Sequence, residues 1–300
     1  MTHLTPIAAV LIALSVAVVV VGCATVLSFL LTKGRPTPPS PHRDQTVARA
    51  LLKPKARHVW LLWLQGWENA PYVVREVRRS WEVMNPDFKV HCITAADLPS
   101  LGVPTPKTSM TPQAQSDWIR LALLARHGGV WADATMLCMR PLNQWLGDAF
   151  HTCDFWMYHG RDGGKGGASW FMAANGGGTA LVTRWWQLAQ EYWRARDTPS
   201  GRIGGLDDYF WMDGLFEHAR HTDTTFAKEW NKVLSPNCND PGGAHMLAGR
   251  VLTASDEVTV ALIEKRACHA MKLTKELEVP TPSTPVLNGH EALRVAFGRP

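Results

Sequence analysis

Gln115-Ser116-Asp117-Trp118-Ile119-Arg120-Leu121-Ala122-Leu123-Leu124-Ala125-Arg126-His127-Gly128-Gly129-Val130-Trp131-Ala132-Asp133-Ala134-Thr135 sets the architecture, because a polar helix start, a Gly-Gly stop and a strand ending in a carboxylate follow one another in it. Asp117 and Arg120 are three apart and share one helical face, which we expect near the helix start, where amide donors are free and anions are favoured. Gly128-Gly129 ends the helix, since glycine takes the left-handed cap conformation without strain. Val130-Trp131-Ala132 then reads as a short strand that delivers Asp133 to its C-terminal end, where open α/β sheets bind ligands. Two carboxylates and a cation converge there. A surface ion pair followed by a turn aspartate is the plainer alternative.

Upstream, Val59-Trp60-Leu61-Leu62-Trp63-Leu64 is an apolar run without alternation, the pattern of a parallel strand buried on both faces. Residues 65–71 read as a loop. From Tyr72 to Met84 the apolar positions Val73, Val74, Val77 and Trp81 recur at a helical period, and Asn85-Pro86 stops it. Phe88–Ile93 is the next strand, so residues 57–94 form a βαβ unit.

Ser116-Asp117-x-x-Arg120 followed by Gly128-Gly129-Val130-Trp131-x-Asp133 resembles the core of the capsular polysaccharide synthesis proteins and related glycosyltransferases with a DXD sugar-binding region. The Trp-bearing first strand, the loop Gln65-Gly66-x-x-Asn69-Ala70-Pro71 and Asn85-Pro86 before the second strand extend the likeness over about residues 57–145. The resemblance implies a GT-A-like fold, a Rossmann-type mixed α/β sheet flanked by helices. It also implies a nucleotide-diphosphate sugar donor, a glycan or polysaccharide acceptor and retention of anomeric configuration. Asp117 and Arg120 would bind the donor, Asp133 the ribose and a divalent cation (Mn²⁺ or Mg²⁺), and Trp63, Gln65 and Trp67 the base. His269-Ala-Met-Lys272-Leu-Thr is similar to the closing segment of such families, where the Lys meets the diphosphate and the His completes the metal shell. The chain departs from the pattern at Thr135, which stands where a second DXD carboxylate is expected. A hydroxyl is a weaker ligand for a hard cation, so we expect a weakened metal dependence at Asp133, Thr135 and His269. A degenerate relative that binds nucleotide and transfers nothing is the competing reading.

The chain of 300 residues is 46% hydrophobic with 14 Trp, ample for a core. Its first 32 residues hold no Lys, Arg, Asp or Glu, and Ile7–Leu31 would extend about 37 Å as a helix against a hydrocarbon core of roughly 30 Å. We expect residues 1–6 as a tail, 7–31 as a transmembrane signal-anchor, 32–56 as a Pro-rich stalk, 57–279 as the glycosyltransferase domain and 280–300 as a loosely held Pro-rich tail. A cleaved signal peptide would need an upstream basic region, which is absent. The basic residues after the span place the domain on the cytoplasmic face, whereas many eukaryotic glycosyltransferases place it in the Golgi lumen, so both orientations stay open. Five cysteines outside the span lack C-x-x-C spacing, which argues against structural zinc. The net charge of +5 suits an anionic donor or membrane surface and is too weak to suggest nucleic acid.

Further along, Gly160–Ser169 is Gly-rich but lacks the Lys-Ser/Thr of a phosphate loop, so it reads as a flexible loop over the site. Ser169–Ala174 reads as a strand and Ala180–Trp193 as a helix. In Asp207–Asp213 an acceptor-side group can sit, and Asp213 carries most weight as a catalytic carboxylate, with Asp207 a helix cap.

Overall fold

The computed structural model describes residues 54–161, 166–196, 209–245 and 249–298. The chain divides into two units, Met1–Ala50 and Leu51–Pro300, and the described residues belong to the second. The expected anchor, most of the expected stalk, Lys165, Asp207 and Asp208 lie outside them. No helix among the described residues is long and apolar enough to cross a membrane.

In chain order the elements are β1 (His58–Leu62), α1 (Tyr72–Met84), β2 (Lys89–Ile93), α2 (Pro112–His127), β3 (Gly129–Ala132), β4 (Met136–Cys138), α3 (Leu146–Ala149), β5 (Phe155–Arg161), β6 (Gly166–Ala174), α4 (Ala180–Ala195), α5 (Trp211–Thr222), α6 (Thr224–Trp230), α7 (Glu257–Glu264), β7 (Ala270–Lys272) and α8 (Asn288–Ala296). Five strands make one mixed sheet in the order β2-β1-β3-β6-β5. β1 runs parallel to both β2 and β3, and β6 turns antiparallel against β3. The βαβ unit expected over 57–94 is present. Trp63 and Leu64 fall just beyond β1, which leaves them free to enter the cleft above the strand ends.

α1 buries Val73, Val74, Val77 and Trp81, the face its period defines. Its inner side also holds β4: the indole N–H of Trp81 donates to the Met136 carbonyl at 2.7 Å, and Ser80 Oγ accepts from the Cys138 N–H at 3.0 Å. Asn85 ends the helix and accepts from the Leu142 N–H at 2.7 Å. Each such bond within the interior satisfies a backbone group that would otherwise be costly to bury.

The start of α2 corrects the expectation that Asp117 and Arg120 sit at a helix N-terminus. Thr111 caps the helix by accepting from the Ala114 N–H at 3.2 Å, and Pro112 fills the first helical position. The free amides therefore belong to the residues before Ser116, and Asp117 and Arg120 project a turn or more further on. The far end is as read: Gly128 has φ +68°, and a Cβ there would meet the Gly176 backbone at 2.5 Å. No other residue fits that crossing.

β4 and β7 pair antiparallel in a small second sheet, with Met136 opposite Lys272. The expected strand over 169–174 begins earlier, at Gly166, and the hairpin with β5 replaces part of the expected loop. The last segment also differs from a loosely held tail. Behind the prolines, α8 buries Ala292, Leu293 and Ala296, and Leu293 alone contributes about 1.5–3 kcal/mol by its burial. The proline count hid a short amphipathic period.

Candidate functional site

A cleft of about 670 Å³ opens at the C-terminal ends of β1 and β3, and Trp63, Gln65, Asp117, Arg120, Asp133, Thr135, Asp213 and Lys272 all line it. Nearly every residue singled out in the sequence is thus brought together. Trp67 and His269 are not among the lining residues.

Asp133 is the centre of a charged network. Its Oδ1 accepts from Arg120 Nη2 at 3.0 Å and from the Trp131 indole N–H at 3.0 Å, and its Oδ2 accepts from Lys272 Nζ at 2.9 Å. The backbone N–H of Asp133 donates to the Trp170 carbonyl at 2.9 Å, which continues the β3–β6 ladder by one residue and fixes the side chain's origin. Burial pushes its carboxyl pKa up, but the charges of Lys272 and Arg120 and the hydrogen bonds from Lys272 and Trp131 outweigh it, so the group lies below the usual carboxylate range. It stays ionised at any physiological pH.

Arg120 reaches this network from the interior, its side chain only 7% exposed. Nη1 donates to the Ser169 carbonyl at 2.7 Å, Nη2 donates to Ser116 Oγ at 3.2 Å and stands 3.3 Å from Asp117 Oδ1, and the guanidinium lies 5.1 Å from the Trp131 ring centre. Its Nε–H is buried with no partner among the described residues, as is the indole N–H of Trp63 at the cleft's other wall. Buried donors without partners are uncommon, and those of Trp145, Trp193 and Trp211 share this state away from the cleft. Lys272 arrives through the β4–β7 pairing, which sets it across from Met136 and beside the segment that carries Asp133.

The expected metal ligands fit a hard divalent cation poorly. Both oxygens of Asp133 are engaged by cationic or neutral donors, Thr135 offers a neutral hydroxyl, and no group of three His, Cys, Asp or Glu side chains among the described residues is arranged to hold a metal. His269 stacks on Trp145 at 3.9 Å and 6°, edge to Trp156, with Arg140 3.4 Å from its Nδ1. Burial, and then the Arg140 charge, push its pKa down to about 3. Its surroundings are those of a neutral packing residue.

The cleft also contains residues that the sequence did not point to. Lys275 lies three residues beyond Lys272, and the exposed pair Tyr209 and Phe210 precedes Asp213. Asn239 and His245 come from an irregular segment rich in Asn and Gly, where no period exists to give a face. The Lys272-x-x-Lys275 spacing was a usable signal. For Asn239 and His245 none was present.

Two solved structures are similar in outline. One is described as PaToxG glycosyltransferase, at 12% identity over 82% of this chain and 86% of that one, with a TM-score of 0.40. The other is a glycosyltransferase involved in the glycosylation of the major capsid of PBCV-1, at 8% identity over 73% and 94%, with a TM-score of 0.36. No curated protein matches the chain. The family model for capsular polysaccharide synthesis proteins matches residues 42–287, which take in the whole of the cleft. With the Asp117, Arg120 and Asp133 pattern assembled at one site and that match spanning most of the sequence, the chain belongs to the capsular polysaccharide synthesis protein family and is, as a member, a glycosyltransferase.

Proposed function

We propose that this glycosyltransferase moves a hexosyl group from a nucleoside diphosphate sugar to a hydroxyl of a glycan or polysaccharide, with retention of anomeric configuration, and that Ile7–Leu31 anchors it to a membrane. The observation that carries the reading is the network in which Arg120 and Lys272 share Asp133 at the mouth of the two parallel strands. Departure of a nucleoside diphosphate builds negative charge on its phosphates, and fixed cations in a restricted site stabilise that charge. Lys272, 22% exposed, would turn from Asp133 toward an incoming diphosphate, and Lys275 lines the same cleft. Asp117 accepts hydrogen bonds from sugar hydroxyls, since an ionised carboxylate only accepts. Trp63 offers its ring face to the base, and Asp213 orients the acceptor.

No step here passes through a metal ion. A second reading, a nucleotide-binding relative without transfer, is favoured by Thr135, which removes one carboxylate from the family pattern. Titrating the full-length protein with UDP-glucose, UDP-galactose and GDP-mannose, while measuring release of the nucleoside diphosphate, separates the two. Binding with turnover supports transfer, binding alone supports the second reading, and no binding of any donor refutes both. Carbonate extraction tests the anchor: the full-length chain is expected in the membrane pellet.

A further inference from the structure

Among the described residues, the side chains that carry charge in the cleft at neutral pH are Asp117, Arg120, Asp133, Asp213, Lys272 and Lys275. All but the last are engaged. Arg120 stands 3.3 Å from Asp117 and 3.0 Å from Asp133, Lys272 holds Asp133 at 2.9 Å, and Asp213 is likewise partnered. Lys275 is exposed, and its ammonium makes no hydrogen bond or ion pair with any described residue.

The backbone fixes this lysine on the cleft wall. Lys272 ends β7, and the next residue, Leu273, is 3% exposed and donates its N–H to the Thr135 carbonyl at 2.8 Å. On the other side of Lys275, Leu277 is 1% exposed and donates its N–H to the Thr274 carbonyl at 3.3 Å, while Thr274 Oγ1 accepts from the Glu276 N–H at 3.4 Å. Lys275 and Glu276 are therefore the central residues of a tight turn hung between two buried leucines and fastened to the segment that carries Asp133. Glu276 is exposed and does not line the cleft, so the turn presents a cation there without its neighbouring carboxylate.

We propose that Lys275 is a donor-binding residue that pairs with the diphosphate and makes the site prefer nucleoside diphosphates to monophosphates. The proposal rests on the reading of the cleft as a donor site. Without Lys275, three carboxylates face two cations and the lining is net −1, which opposes an anionic ligand; with it the sum is zero. Arg120 and Lys272 reach a phosphate only by sharing or leaving Asp133, and uncovering a partly buried carboxylate is costly. Lys275 has no such bond to break. Its ammonium carries three donors and is hydrated in the free protein, and a phosphate replaces that water with charge-assisted hydrogen bonds. The cleft's donor set fits a hard divalent cation poorly, so a side-chain cation beside Thr135 is the group at hand for the diphosphate's charge. A nucleoside diphosphate carries more negative charge than its monophosphate, and Lys275 is the cation that the ion pairs leave over for it.

The test is calorimetry on the full-length protein in excess chelator, with UDP, GDP and ADP and the monophosphate of each. Wild type is expected to bind at least one diphosphate, and to bind it more tightly than the matching monophosphate. Lys275→Gln lowers affinity for that diphosphate about 10-fold and for the monophosphate less than about 3-fold, while Lys275→Arg restores most of the loss. Lys265→Gln, which removes an exposed lysine outside the cleft, leaves both affinities unchanged and controls for net charge. Tm is the same in all four proteins, since no described bond of either lysine side chain is lost. Wild-type affinity of Lys275→Gln for the diphosphate, an equal loss for both nucleotides, or diphosphate binding that appears only on adding Mn²⁺ overturns the assignment and leaves the donor reading standing. Failure of wild type to bind any of the nucleotides, with or without Mn²⁺, overturns the donor reading itself and this proposal with it.

Discussion

Asp133→Asn keeps the shape of the central side chain and deletes its charge. In the wild-type protein Asp117, Asp133, Arg120 and Lys272 sum to zero, two carboxylates against two cations, and the variant leaves a net +1. Each contact near 3 Å is worth roughly 5 kcal/mol at an effective dielectric of about 20, before desolvation is subtracted. Removing one partner from a buried pair costs about 3–5 kcal/mol. Three features lower this figure here. Lys272 and Asp133 are each about a fifth exposed, Arg120 keeps Asp117, Ser116 and the Ser169 carbonyl, and Asn retains one acceptor oxygen. We therefore expect a loss of about 2–4 kcal/mol, or roughly 5–15 °C in Tm for a domain of this size. Because the carboxyl pKa is depressed in the folded state, its stabilisation is complete above the unfolded value of about 3.9 and vanishes as pH falls through the folded value. The gap between wild type and variant is thus constant from neutral pH to about pH 5 and closes only in stronger acid. Thermal unfolding followed by circular dichroism between pH 3 and 8 measures it. Equal stability of Asp133→Asn and wild type between about pH 5 and 8 would overturn this account, since it would mean that desolvation of the carboxylate already cancels both ion pairs.

Three further outcomes follow from the same geometry. Donor turnover persists in excess chelator, because Arg120 and Lys272 meet the diphosphate charge, and Thr135→Asp tightens Mn²⁺ binding in calorimetry by adding a ligand charge; abolition of wild-type turnover by chelator, with recovery on Mn²⁺, argues the reverse. His269, held neutral by burial down to about pH 3, lowers stability as pH falls below about 6.5, where the unfolded chain takes up a proton that the folded one refuses. In urea unfolding, His269→Gln is expected to reduce that dependence by up to about 1.4 kcal/mol per pH unit, and identical slopes would contradict it. Gly128→Ala combines positive φ with a Cβ 2.5 Å from the Gly176 backbone and is expected to cost at least about 2 kcal/mol, whereas Gly178→Ala has φ +78° but open space and costs about 1 kcal/mol; equal losses would show that the contact is immaterial.

The donor side of the cleft was legible because its signals are local. Asp117 and Arg120 lie on one helix, Gly128 ends that helix, and four buried strand residues carry the chain to Asp133, all within 17 residues. The helix start was misplaced because Thr111-Pro112 lies just upstream of the Gln115–Thr135 stretch, and a proline there opens a helix as readily as it ends one. His269 looked like a ligand because its segment resembles the closing segment of the family. His269 in fact precedes β7 and stacks on Trp145, whereas Lys272 ends β7 and lines the cleft. Asn239 and His245 were invisible for a different reason. Their segment is held by main-chain bonds to β5 and β7, distant in sequence, and no spacing within it records them. α8 was concealed by the prolines that precede it, although its Ala292, Leu293 and Ala296 follow a helical period.

The pairing of β4 with β7 bears on when this protein becomes functional during its synthesis. Asp133 and Lys272 are 139 residues apart, and the strand that brings them together is completed only when Lys272 has emerged from the ribosome. At about 5–20 residues per second, translation leaves an interval of roughly 7–30 s during which β4 lacks its partner β7 and Asp133 lacks Lys272. Throughout it Asp117 and Asp133 have Arg120 as their cation, and the nascent pocket carries an excess of negative charge that repels phosphate. Affinity for an anionic donor is thereby postponed until Lys272 is made, so a product terminated before it has the carboxylates of the site without the lysines that make it attractive to a nucleotide.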